Sequence, residues 1–248
     1  DKITVDGTTL RFSDATYGGL QTSGGASFAS LNGTAGNLVA VIGYAAAAIV
    51  AGTAYGSEAS GIRASTAAEF SNRDAFVLTN GSGTNRFPIR AGTDASTNSA
   101  PLTQAEVRAV LEDAFAVMSR ARAQIRRPLD SRAQVTISLV DTHGAVLGIV
   151  RAPDAPIFGT DVSLQKARTA AFFSGAHAGT ELSANASVDV QHFVPAVRSF
   201  LNDPSALTGT FAFADRSGGN LSRPYFPDGE VGRPNGPLSR PIAQFNPF

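Results

Sequence analysis

The chain has 248 residues, enough to bury one large core or two small ones, and its twenty basic residues balance twenty acidic ones. Zero net charge gives no support to a strongly basic nucleic-acid-binding surface, and the absence of cysteine excludes disulfides, thiolate metal sites and a cysteine nucleophile. The longest apolar run, Leu38 to Ala51, falls short of the roughly twenty residues that a spanning helix needs, so no transmembrane segment is expected.

Lys2 to Phe12 alternates about Asp6-Gly7, a dipeptide suited to a tight two-residue turn, and predicts two short strands. Residues 13–36, rich in Gly, Ser and Thr, read as an irregular connection. Leu38-Val-Ala-Val-Ile42 predicts a strand, and the alanine-rich stretch after it is left open between states. Asp74 to Thr79 and Asn85 to Arg90 predict a second hairpin joined by Asn80-Gly-Ser-Gly-Thr84. Gly81-x-Gly83 lacks the third glycine and the following helix of a dinucleotide loop, so a turn is the better reading.

Thr103-Gln-Ala-Glu106 is a capping box. Val107, Val110, Leu111, Ala114, Phe115, Met118, Ala121 and Ile125 follow at helical spacing, which predicts a helix running towards Pro128 with that face buried. Arg120, Arg122, Arg126 and Arg127 crowd its far end, either as a solvated complement to the helix dipole or as an anion contact.

The most consistent stretch is Gln134 to Ser174. Val135, Ile137 and Leu139 alternate with Thr136, Ser138 and Val140, Asp141-Thr-His-Gly144 supplies turn chemistry, and Val146 to Arg151 returns, so a β-hairpin is expected. Ala152-Pro-Asp-Ala-Pro156 forbids a long strand extension, and Gly159 with Asp161 or Ser163 starts a short helix, Leu164 to Phe173. Val188 to Leu201 predicts a weak helix broken by Pro195, and Phe211 to Ala214 one more short strand. Residues 215–248 carry many Pro and Gly residues and no periodicity, so they cannot form a core alone. Leu221, Tyr225, Phe226, Leu238, Ile242, Phe245 and Phe248 are nonetheless too apolar for a free linker, and the tail is expected to lie along this domain or a second chain.

Three motifs in this stretch carry a family likeness: Val140-Asp141-x-x-Gly144, Arg151-x-x-Asp154-Ala155-Pro156 and Asp161-x-x-x-x-Lys166-Ala167-x-Thr169-Ala170. Together they resemble the GlcG/HbpS-like family of small haem-binding or haem-degrading domains, over about a third of the chain. The resemblance implies a mixed α+β fold, an antiparallel sheet flanked by helices and often oligomeric, here with irregular extended arms. It implies a β-rich irregular region over residues 1–100, the GlcG-like unit over 101–214 and an extended tail over 215–248. The family pattern closes with glycine-rich strands that have no match after Ser174. Longer two-part bacterial relatives therefore offer a model in which both ends are cut ends, Asp1 follows a removed portion, and a second polypeptide completes the sheet. A periplasmic or extracellular location is implied in the same way.

The histidines, His143, His177 and His192, are far apart in sequence, and no HExxH or other close zinc pair occurs. A haem iron needs only one or two axial ligands. The resemblance therefore makes His143 at the hairpin turn and His177 past the helix the candidate metal ligands, against the plainer reading of exposed imidazoles. It also makes Arg151, Arg168 and Lys166 candidate contacts for the cofactor's propionates. Lys166, one of two lysines, is alternatively a base or Schiff-base donor, or simply an ion-pair partner of Asp161 or Asp154. No nucleophile elbow, P-loop or kinase motif occurs, and Asp141, Asp154 and Asp161 lack the spacing of a calcium loop. Three functions stand: haem or related cofactor binding, a non-catalytic interaction subunit of a multi-chain assembly, and an enzyme using Lys166 on a small acid.

Overall fold

Two strands, β1 (Lys2–Val5) and β2 (Thr8–Arg11), pair antiparallel with Val5 opposite Thr8, which leaves the two-residue connection expected at Asp6-Gly7. The computed structural model describes residues 2–5, 8–11 and 53–244, and separates into two compact units, Asp1–Gly52 and Thr53–Phe248. The strand expected at Leu38 to Ile42, and Phe245 and Phe248 of the tail, lie outside the described residues.

The second unit is built on an antiparallel sheet of β3 (Ile62–Ala64), β4 (Phe76–Leu78), β5 (Thr136–Val140) and β6 (Val146–Arg151), in the order β3-β4-β6-β5. β5 and β6 are the expected hairpin, in register Thr136 to Arg151 and Ile137 to Val150, with an irregularity between Leu139 and Val140 before the turn. One face takes helix α1 (Gln104–Met118), the other α2 (Gly159–Ser174). Val107, Leu111, Phe115 and Met118 of α1 form a core with Val77, Leu147 and Val150, joined by Ile137 and Leu139. Full burial of each large apolar side chain contributes about 1.5–3 kcal/mol. On the opposite face, Ser138 Oγ meets Ser163 Oγ of α2 at 2.7 Å. The fold is thus mixed α+β with a sheet covered on both sides.

The capping box is present as read: Glu106 N donates to Thr103 Oγ1 at 3.2 Å, and Glu106 Oε2 accepts from Thr103 N at 2.8 Å. The helix ends earlier than expected, at Met118. The chain then folds back, with Ala123 N on Ser131 O at 2.9 Å and Ala133 N on Ala121 O at 2.8 Å. Ile125 is 96% exposed and does not belong to the buried face. Tertiary contacts explain the early stop, since Arg132 donates to the C-terminal carbonyl of Ser119 at 2.9 Å and Arg126 reaches Asp154 at 2.5 Å. Arg122 and Arg126, like charges four apart, would have opposed a continued helix.

The second expected hairpin is replaced by a different pairing. β4 pairs with β3, and Asn85 to Arg90 contributes one bridge, Thr79 to Asn85. Pro88 has no N–H to extend a ladder, and beyond it Ile89 enters the core while Arg90 N donates to Leu147 O at 2.9 Å. Helix α2 begins at Gly159 instead of Leu164, because a turn over 156–160 leads into it through Gly159 N to Pro156 O at 3.0 Å and Thr160 N to Ile157 O at 3.2 Å.

A helical layer follows: α3 (Ala178–Ser183), α4 (Val188–Gln191), α5 (Phe193–Leu201) and α6 (Asp215–Leu221). The break between α4 and α5 falls at His192. Pro195 sits in the first turn of α5, where its missing N–H removes no helical bond. No strand forms over Phe211 to Ala214; Phe213 N donates to Ser174 Oγ at 2.8 Å and α6 starts directly after. Ala178, Val194, Val197, Ala206, Leu207 and Leu238 make a second core, against which Phe173 and Leu221 pack. Leu238 N also donates to Leu221 O at 3.0 Å, so the described tail lies on this chain's own helices.

Candidate functional site

The turn of the β5–β6 hairpin is held by two buried carboxylates. Asp141 Oδ1 accepts from His143 N at 3.0 Å and Ala145 N at 2.9 Å, while its Oδ2 accepts from Thr93 N at 2.9 Å and Thr93 Oγ1 at 2.8 Å. Asp94 Oδ2 accepts from Thr142 Oγ1 at 2.6 Å and from Asn98 Nδ2 at 3.1 Å. Burial pushes the Asp141 carboxyl up, yet the donors from Thr93, Ala145 and His143 outweigh it and hold its pKa below the ordinary value. The Thr142 hydroxyl, followed by Asn98, holds Asp94 down at about 2. The turn is thereby clamped to residues 93–98, and Gly144, at φ +75°, takes the left-handed conformation that closes it.

His143 projects from this turn with Nε2 2.6 Å from Thr97 Oγ1. On the facing side α2 ends at Ser174, and Gly175 turns the chain in an extended conformation, so that His177 stands at the start of α3. Both imidazoles line one cleft of about 700 Å³, shared with Asn98, Thr142, Phe172 and Glu181. That volume suits a small-molecule or cofactor ligand.

The remaining sequence candidates are distributed differently. Arg168, on α2, donates Nε to Gly144 O at 2.9 Å and so stands against the turn that carries His143, but like Lys166 and Arg151 it does not line the cleft. Lys166 is 58% exposed, pairs with Asp215 at 2.9 Å and does not line the cleft. Neither expected partner takes it: Asp161 accepts from Gln165 at 2.7 Å, and Asp154 pairs with Arg126. Arg151 lies fully buried at the far end of β6, some 20 Å along the strand from the turn. It donates to Thr160 Oγ1 and Tyr55 Oη, each at 3.2 Å, and to Ala155 O, and does not line the cleft. His192, between α4 and α5, is also elsewhere.

Sequence reasoning missed Asp94, Thr97 and Glu181. Asp94 and Thr97 sit in a stretch of small polar residues whose only local signal is loop, and their pairing with the turn is long-range. Among the described residues no three His, Cys, Asp or Glu side chains come together to hold a metal ion.

Residues 110–215 match the family model described as haem degrading protein HbpS-like. No curated protein and no solved structure gives a significant match to the chain. The matched segment contains the β5–β6 hairpin, α2 and both cleft histidines. Fold, motifs and family model converge on one segment: residues 110–215 are similar to the HbpS-like family.

Proposed function

We propose that the cleft between the hairpin turn and the start of α3 binds haem or a closely related cofactor. One observation carries the reading. His143 and His177, separated in sequence by a strand and a sixteen-residue helix, line a single cleft within the segment that matches a haem-related family. Haem, once bound, would supply iron redox and ligand-exchange chemistry.

The chain's own part is to bind and orient. The His177 ring makes no hydrogen bond to another described residue, whereas His143 is oriented by Thr97. Phe172 offers an apolar wall to a macrocycle. Arg168 commits only Nε to Gly144 O, which leaves its terminal nitrogens for a propionate beside the turn. Hemin titration with visible absorption tests this: a saturating Soret band is expected, weakened in His143→Ala and His177→Ala. The family resemblance also supports a location in the bacterial envelope or outside the cell, which fractionation of source cells tests.

A second reading, an interaction subunit completed by another polypeptide, has its own support. β5 is an outer strand of the sheet, and near its first residues Val135, Ile157 and Phe158 are 44%, 61% and 72% exposed. An open edge beside apolar side chains fits strand addition. Phe158→Asp is expected to lower the assembled mass measured by light scattering; an unchanged mass in the folded variant removes this reading.

A further inference from the structure

Arg151 heads the fully buried side chains by volume, and none of the ion pairs among the described residues includes it. Its acceptors are all neutral: Thr160 Oγ1, Tyr55 Oη and Ala155 O. A guanidinium stripped of water and given no counter-charge carries a large desolvation penalty that neutral acceptors only partly offset. The position aggravates this. Thr160 belongs to the first turn of α2, so the buried cation faces the positive end of a sixteen-residue helix. Asp161 lies in that first turn, but it is exposed, accepts from Gln165 at 2.7 Å and makes no ion pair with Arg151.

Two polar atoms at this point are buried without a hydrogen-bond partner, Arg151 Nε and Thr136 Oγ1. The strand register sets Thr136 directly opposite Arg151, so the two side chains stand together on the α2 face of the sheet. Both can donate, and a guanidinium can do nothing else, so the missing group is an acceptor. At Gly159 no side chain stands against the Thr136 hydroxyl, since even a Cβ built there would lie 3.9 Å from Thr136 Oγ1 and 3.9 Å from Pro156 Cβ, ordinary contact distances.

We propose that Arg151, Thr136 and the first turn of α2 form a binding site for a halide-sized monovalent anion, chloride under physiological conditions. The anion neutralises the buried guanidinium, takes the two idle donors and ties β5, β6 and α2 together. Tyr55, whose hydroxyl donates to Pro153 O at 2.5 Å while accepting from Arg151, covers the site on the loop side. Because Arg151 lies at the opposite end of β6 from the hairpin turn, occupancy is independent of any ligand in the histidine cleft.

The test uses the full chain at constant pH and ionic strength, with sodium methanesulfonate replaced stepwise by sodium chloride. A saturable rise of several degrees in the thermal midpoint is expected, together with chloride-35 line broadening that excess bromide removes. Thr136→Val preserves shape and deletes a hydroxyl that makes no bond within the protein. It should fold and lose most of the chloride response. A midpoint independent of chloride, an equal response in Thr136→Val, or stabilisation by formate and acetate but not by chloride would each overturn the proposal.

Discussion

Thr142 gives its hydroxyl hydrogen to Asp94 at 2.6 Å, and the neighbours of these two residues repeat the exchange in reverse, Thr93 donating to Asp141 at 2.8 Å. Two Thr/Asp pairs, forty-eight positions apart, thus lock the hairpin turn to the loop over residues 93–98. One wall of the histidine cleft is in this way fixed before any ligand enters.

Breaking the lock at one point should loosen the cleft wall. Thr142→Val removes the strongest donor to Asp94 and leaves the carboxylate only Asn98 as a side-chain partner. Urea unfolding is expected to show a lower midpoint, and hemin titration a weaker affinity, with the α1 core unaffected.

The same carboxylates set an acid limit. Asp94 and Asp141 have folded-state pKa values below the ordinary 3.8, Asp94 at about 2. A depressed carboxylate adds stability that is complete above its unfolded pKa and lost as pH falls through its folded one. The unfolding free energy should therefore drop between about pH 4 and pH 2, and Asp94→Asn should flatten that slope while lowering stability at neutral pH. A slope unchanged by the substitution would separate the lock from the acid response.

Gly179 offers a case where packing opposes propensity. Alanine is favoured over glycine inside a helix by about 1 kcal/mol. A Cβ at Gly179 of α3 would nevertheless lie 2.9 Å from the backbone oxygen of Leu207 and 3.2 Å from the Arg198 guanidinium. Gly179→Ala is expected to destabilise by about 1–3 kcal/mol in urea unfolding, the cost of overpacking.

Leu111 and Gly148 are coupled through one contact. Leu111→Ala should cost about 2–5 kcal/mol by opening a cavity under the sheet. Gly148→Ala alone would drive a Cβ to 2.7 Å from Leu111 Cδ1. The double variant should then be less destabilised than the sum of the singles, and a double-mutant cycle measures the difference.

What the sequence made legible was local. Thr103 and Glu106 announced the start of α1, the spacing of Val107, Leu111, Phe115 and Met118 its buried face, and Asp141 with Gly144 the hairpin turn. The end of α1 was hidden because Arg132 and Arg126 set it through partners that only the fold supplies. Lys166 shows the same limit, since its partner Asp215 lies forty-nine positions away, beyond the two nearer carboxylates that sequence alone suggested. The convergence of His143 and His177 depends on how far α2 runs and on how Gly175 redirects the chain, and no periodicity encodes either. Leu238 is one of the apolar residues that mark the tail as packed on some surface, and only the fold identifies that surface as the core of Val194, Val197 and Leu207.

Whether His143 and His177 hold haem is decided by hemin titration of the folded protein and of His143→Ala and His177→Ala. A Soret band that saturates at one hemin per chain, with affinity reduced at least tenfold in one variant and circular dichroism unchanged, is the predicted result. No saturable band with the wild-type chain folded, or equal affinity in wild type and both variants, would contradict it.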